Sequence, residues 1–206
     1  MYLVFNPKST NKNAYWDSFL SIIKNYPNDG LFLEIGAVDT EQVATHQKIF
    51  TRLIGLDLNF ARLPRSAGIE MVNADAQFLP FKNNIFDGIV SHHVIEHVEN
   101  DSLFICEIMR TLKKDSFAIL GTPNRKRLVR VLAELFTGER IFPWREHKRE
   151  YTKQELLKLA NMIGLKNALV YNKFFGIHSY RIILGFSRYH RILDKWCNFL
   201  FFVLVK

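Results

Sequence analysis

The chemistry available to this chain rests on a few carboxylates, one glycine and a run of histidines. Glu34 lies inside the apolar run Leu31–Ile35, directly before Gly36. Asp57 closes Leu53-Ile-Gly-Leu, and Asp75 follows the apolar stretch Ile69 to Asn73. Asp57 falls 21 positions after Gly36, about the interval at which a βαβ unit places a carboxylate on a ribose diol. A carboxylate suits a diol because it accepts two hydrogen bonds in fixed geometry. Gly36 removes side-chain bulk where a ligand would approach the backbone. Further on, Ser91-His-His-Val-Ile-Glu-His97 gathers three histidines and a glutamate. Histidine titrates near neutrality, so His97 and His147, with His93 behind them, are candidate general bases, and Glu96 could orient His97.

His93 and His97 also show the His-x-x-Glu-His spacing that places two metal ligands on one helical face. Zinc there needs a long helix through the motif and a third ligand from a later helix. Asn100-Asp101-Ser102 reads as a helix start just downstream, so the motif straddles a turn and no metal is expected. Cys106 and Cys197 stand far apart without a CxxC partner, which argues against a disulfide framework or cysteine-rich zinc site.

These residues need elements that bring them to one edge. Apolar runs end at Gly36, Asp57, Asp75 and Ser91. Helical patterns separate them: residues 41–51, opened by Asp39 with Gln42 as an N-cap pair, then 60–66, then 101–113. Strands alternating with helices predict a parallel sheet whose ligand lies at the strands' carboxyl ends. A fifth strand over Phe117–Leu120 leads into the loop Gly121-Thr-Pro-Asn124, and residues 126–136 read as a helix. Thr152-Lys-Gln-Glu155 opens another helix with a capping box that ends at Gly164, before a sixth strand at 166–172. Residues 1–29 form a helical lead-in with Tyr15, Trp16, Phe19, Leu20, Ile22 and Ile23 on its apolar positions. Residues 138–151 read as an irregular insertion.

The tail 199–205 is seven apolar residues, too short for a bilayer that needs about 20, and the length of a buried strand. The segment before it, with Arg181, Arg188, Arg191 and Lys195 among Ile182, Ile183, Leu184, Ile192, Leu193 and Trp196, reads as a basic amphipathic helix that could lie on a membrane.

At 206 residues and 48% hydrophobic content, one domain with a full core is expected over 1–206. The N-terminus lacks a signal-peptide pattern, so a cytoplasmic protein, peripheral to the membrane at most, is expected. The net charge of +8 is uneven: residues 1–103 hold 8 Lys/Arg against 12 Asp/Glu, and 104–206 hold 20 against 8. Arg125, Lys126, Arg127, Arg130, Arg140, Arg145, Lys148 and Arg149 cluster after the fifth strand. That favours an anionic acceptor, with nucleic acid second because no RNA-binding module is visible.

Leu-Glu-Ile-Gly (33–36), Gly-Leu-Asp (55–57), Asn-Ala-Asp-Ala (73–76), Leu-Pro-Phe (79–81), Phe-Asp-Gly-Ile-Val-Ser (86–91) and Val-Ile-Glu-His-Val (94–98) follow one another in an order that resembles class I S-adenosylmethionine-dependent methyltransferases. The similar subgroup methylates small molecules, quinones, lipids and glycans. The resemblance covers about residues 30–206. It implies a Rossmann-like, seven-stranded, mostly parallel sheet with helices on both faces and an antiparallel C-terminal strand at 199–205. It also implies S-adenosylmethionine as cofactor. Glu34, Gly36 and Ala37 would shape the methionine pocket, Asp57 would hold the ribose, and Leu58 would line the adenine. Asp75 and Ala76 would meet the adenine amino group, and Ser91 and His92 would flank the sulfonium. The acceptor would be a small-molecule or lipid-linked compound.

A dinucleotide fits less well: the turn has one glycine, and Asp39 would repel a pyrophosphate. S-adenosylmethionine carries a sulfonium cation, which suits the acidic N-terminal half. Ala37, Val38 and Thr40 stand where that family places further glycines. Val38 is the sharpest departure, because a β-branched residue resists positive φ. A methyltransferase-like binding protein that has lost the cofactor is therefore the alternative reading, with RNA methylation third.

Overall fold

The computed structural model describes residues 2–4, 10–59, 69–138, 147–178, 183–186 and 191–206. Its frame is a seven-stranded sheet of β2 (Leu31–Ile35), β3 (Arg52–Asp57), β4 (Glu70–Asn73), β5 (Phe86–His92), β6 (Leu112–Pro123), β7 (Ala168–Lys173) and β10 (Phe199–Val205). The spatial order is β4-β3-β2-β5-β6-β10-β7. The first five strands run parallel to their neighbours, and β10 inserts antiparallel between β6 and β7.

Alternation along each strand divides the core, because successive side chains leave a strand on opposite faces. Leu200, Phe202 and Leu204 of β10 join Leu33, Ile89 and Leu120 on one face, under α3 (Asp101–Thr111) and α5 (Lys153–Met162). Phe199, Phe201 and Val203 join Phe32, Val90 and Ile119 on the other face, under α1 (Thr10–Ile23). A strand buried on both faces must read as a continuous apolar run. That is why the tail is apolar at every position, and it settles 199–205 as a sheet strand. No helix among the described residues is long and apolar enough to cross a membrane.

Helix starts follow their caps. Asp39 Oδ1 accepts the amides of Glu41 and Gln42 at the head of α2 (Thr40–Gln47). Thr152 and Glu155 form the expected capping box on α5, and Asn100 caps α3 through the Leu103 amide. Gly164 adopts φ +80 after α5, as a glycine stop should.

Two expectations need correction. The helix over 101–113 stops at Thr111, and Lys113–Asp115 already belong to β6, which begins at Leu112. Lys113 Nζ is pinned to both oxygens of Asp87 at 2.8 Å across the neighbouring strand, and a register shift with Asp115 at φ +61 absorbs the difference. The segment read as a basic helix before the tail is not one continuous α-helix over its described residues. Ile183–Phe186 is strand β9, in a small antiparallel sheet with β1 (Tyr2–Val4) and β8 (Phe175–His178), and a 3-10 helix covers Arg191–Trp196. Pairing with the remote N-terminus decides that segment, and a local periodicity carries no trace of it. The short helix expected at 60–66, the bulk of the insertion at 138–151 with Arg140, Phe142, Trp144 and Arg145, and Arg181 and Arg188 lie outside the described residues. After β6 the chain forms α4 (Leu128–Thr137), which ends at Gly138 with φ +70.

Candidate active site

The carboxyl ends of the parallel strands form one rim. Ile35 pairs with Leu56 on one side and Ser91 on the other, and Asp57 pairs with Asn73. Gly36, Asp57, Asp75 and the His92–His93 step therefore line one edge in strand order. Gly36 turns the chain at φ +83, and its amide reaches Leu56 O at 2.8 Å. A Cβ at Gly36 would stand 2.5 Å from Val94 Cγ2, so the turn and the segment after β5 meet with no room for a side chain.

The altered glycine motif has a structural answer. Val38 is absent from the positive-φ positions, and its amide closes on Gly36 O at 2.9 Å. Gly36 alone takes the left-handed turn, Val38 is 39% exposed on the rim, and Thr40 is simply the first residue of α2. Ala37 is sealed against Val43 and Met71.

The expected cofactor residues fall into two sets. Asp57 Oδ1 accepts the Asn59 amide at 2.7 Å, while Oδ2 has no hydrogen-bond partner among the described residues. Leu58 is 69% exposed beside it, and Phe78 is exposed beyond β4. Asp75 also lies on the rim, with its carboxylate engaged by the Gln77 amide and side chain. An open carboxylate flanked by bare apolar groups fits a nucleoside, which needs a diol acceptor and a greasy bed for its base.

Glu34, Ala37, Ala76, Ser91 and His92 are instead buried. Glu34, expected to shape the methionine pocket, accepts from Gln42 Nε2 and His46 Nδ1 at its two oxygens and so anchors α2 from beneath the turn. His92, expected to flank the sulfonium, is enclosed in an aromatic cluster. Its ring packs among Tyr15, Trp16, Phe19 and His46, and its Nδ1 is hydrogen-bonded to Tyr15 Oη at 2.7 Å. Burial, together with the neighbouring His46 and His93, pushes the His92 imidazole well below its ordinary pKa, so it is neutral. Ser91 is enclosed one step earlier in β5, and Ala76 joins the buried core next to Asp75 in the chain.

The three base candidates occupy different positions. His93 adopts φ +56, and its side chain is 44% exposed. Its Nδ1 donates to Glu96 Oε1 at 3.0 Å, and Thr122 Oγ1 donates to Glu96 Oε2 at 2.9 Å. Glu96 thus orients His93. Burial raises the Glu96 pKa, but the His93 and Thr122 hydrogen bonds outweigh it, and Glu96 is held below the usual carboxylate range. His97 and His147 meet edge to face with ring centroids 4.8 Å apart. His147 Nδ1 donates to Glu150 Oε1 at 3.2 Å, and Glu150 is clamped by Arg127 and Arg130.

The sequence does not single out Tyr15 as a site residue, and the Gly121-Thr-Pro-Asn124 loop does not show Thr122's role, because each acts through a contact distant in the chain. Only Glu150's place in the polar run His147–Glu155 offered a hint.

Comparison with known proteins agrees with this geometry. Residues 33–120 match a methyltransferase domain family. An uncharacterized protein of Methanocaldococcus jannaschii is 28% identical over 161 residues, covering 74% of this chain and 72% of that protein. The ubiquinone biosynthesis O-methyltransferase of Rickettsia canadensis is 34% identical over 62 residues, 30% of this chain and 26% of that protein. A Thermotoga maritima structure described as a SAM-dependent methyltransferase, possible histamine N-methyltransferase, superposes with TM-score 0.69 at 22% identity, over 95% of this chain and 91% of that one. The chain thus shares the Rossmann-like methyltransferase fold, and residues 33–120 carry the match to a methyltransferase domain.

Proposed function

We propose that this chain methylates a small anionic acceptor, of the lipid- or glycan-linked kind, with His93 as the general base. The observation that carries the reading is the exposed His93 beside the Gly36 turn, backed by the buried Glu96 carboxylate. Bound S-adenosylmethionine would supply an electrophilic methyl on sulfur; Asp57 and Leu58 would hold its nucleoside portion. His93 would accept the acceptor's proton through Nε2, since Nδ1 is committed to Glu96. The rest of the catalysis is alignment of the two reactants.

The acceptor class follows from charge and volume. On the same rim, a cavity of about 350 Å³ is lined by Lys126, Lys153, Arg191 and Lys195, with Asn124 and Asn172 and one acid, Asp194. None of the four cations pairs with a carboxylate among the described residues. That volume suits a small molecule, and its charge suits a phosphate or carboxylate group.

The test is labelled-methyl transfer to a panel of phosphorylated sugars, phospholipid headgroups and RNA, using wild type, His93→Ala and Lys126→Ala/Lys153→Ala. Turnover on a small anionic acceptor, lost in the first variant and raised in KM by the second, is the expected result. S-adenosylhomocysteine binding without transfer to any acceptor would establish the binding-protein alternative. Transfer to RNA alone would replace the acceptor class.

A further inference from the structure

We propose that Glu96, His97 and His147 form a binding site for a divalent transition-metal ion. Each offers one ligand atom, and the three atoms lie within 4.8 Å of one another. Two imidazoles and a carboxylate are the donor set that zinc, cobalt and manganese share, with positions left open for water or another oxygen ligand.

The surroundings point the same way. Glu96 is fully buried, and no lysine or arginine reaches its carboxylate among the described residues; its partners are the Thr122 hydroxyl and the His93 ring. Buried carboxylates normally have a cationic partner or a metal. His147 has the support that ligand histidines have: Nδ1–H is donated to Glu150, which leaves Nε2 as the ring's ligand atom. Arg127 and Arg130 hold Glu150 in turn.

The backbone is locked as well. The amides of Lys148 and Arg149 both donate to Glu96 O, at 2.8 and 3.3 Å, and Arg149 bridges Asp101 Oδ2 and Glu99 O. The segment carrying His147 is therefore tied to the turn carrying Glu96 and His97. The His-x-x-Glu-His spacing pointed to His93 and His97 as the ligand pair. The fold instead supplies His147 as the second histidine and leaves His93 on the outer side as a base.

Metal binding stands apart from the methyl-transfer reading. A further role does rest on that reading: an ion here, beside His93, would take an acceptor oxygen as an open ligand and acidify it.

The test uses the full chain, stripped with a chelator and titrated with Co2+ and then Zn2+, by visible absorption and calorimetry. One equivalent should bind, with visible d–d bands from nitrogen and oxygen ligands. His147→Gln and His97→Gln should each lose affinity by at least about a hundredfold, and Glu150→Gln by roughly 10–100-fold. A Cys106→Ser variant, altering an exposed thiol outside the cluster, should bind as wild type does. Far-ultraviolet dichroism checks folding, and the His97 variant gives a second, independent reading if the His147 variant misfolds. Failure to bind one equivalent at millimolar Co2+, or binding that survives both histidine substitutions, would overturn the site. Binding of S-adenosylhomocysteine, unchanged in His97→Gln, keeps this outcome separate from failure of the methyltransferase reading.

Discussion

Gly121→Ala should loosen the packing of α1 on the sheet, and its effect follows from distances. Gly121 lies in β6 opposite His92 on one side and Phe201 on the other. A Cβ there would overlap the Tyr15 hydroxyl, stand 3.0 Å from Tyr15 Cζ and 3.2 Å from Phe201 Cε1. Tyr15 has little room to yield, because the rings of Trp16, His93, Phe199 and Phe201 surround it with centroids 5.0 to 5.5 Å away. It must give up its hydrogen bond to His92 or move with α1. Overpacking costs about 1–3 kcal/mol, and leaving a buried hydrogen-bonding group unsatisfied costs about 1–3 kcal/mol more. In a chain of this size each kcal/mol lowers Tm by roughly 2–4 °C, so a fall of roughly 4–24 °C is expected. Thermal unfolding followed by far- and near-ultraviolet dichroism reads both the global transition and the aromatic cluster. Tyr15→Phe removes the overlapping oxygen, so the double variant should lose less than the sum of the single losses, by at least about 1 kcal/mol. An unchanged Tm in Gly121→Ala, or strictly additive losses, would refute the packing argument.

Asp57→Ala should weaken S-adenosylhomocysteine binding by about 1.5–3 kcal/mol, or roughly 10–150-fold, in calorimetric titration, because charge-assisted hydrogen bonds to a diol are lost. His92 makes stability pH-dependent. Its pKa is depressed in the fold, so the unfolded chain binds a proton first as pH falls below about 6.5, and stability drops by up to about 1.4 kcal/mol per pH unit in that window. Denaturant titrations at pH 7.5 and pH 5.5 should show this slope, and His92→Gln should flatten it. Phe202→Ala removes a fully buried ring of β10 and should cost about 3–5 kcal/mol in urea unfolding; a loss under about 1 kcal/mol would contradict the two-faced burial of that strand.

Sequence alone determined the strands that end at Gly36, Asp57 and Ser91, the caps at Asp39 and Thr152, and the burial of 199–205. These signals are local: apolar runs, a short polar cap, a glycine where φ turns positive. The identities of His93, Glu96, His97 and His147 were also legible, because few residue types titrate or ligate. Their partnerships were not. Glu96 faces His93 and Thr122, His147 joins His97 from 50 residues away, and Glu34 is spent on His46 and Gln42. The turn after β2 was legible only in part: Gly36 takes the positive φ, Val38 does not, and the lack of room for a side chain at Gly36 comes from Val94 in a distant segment. The segment 183–186 became a strand because Tyr2–Val4 lies beside it. Periodicity sees neighbours along the chain, whereas hydrogen-bond partners, burial and the meeting of two histidines depend on neighbours in space, and those the tertiary structure alone decided.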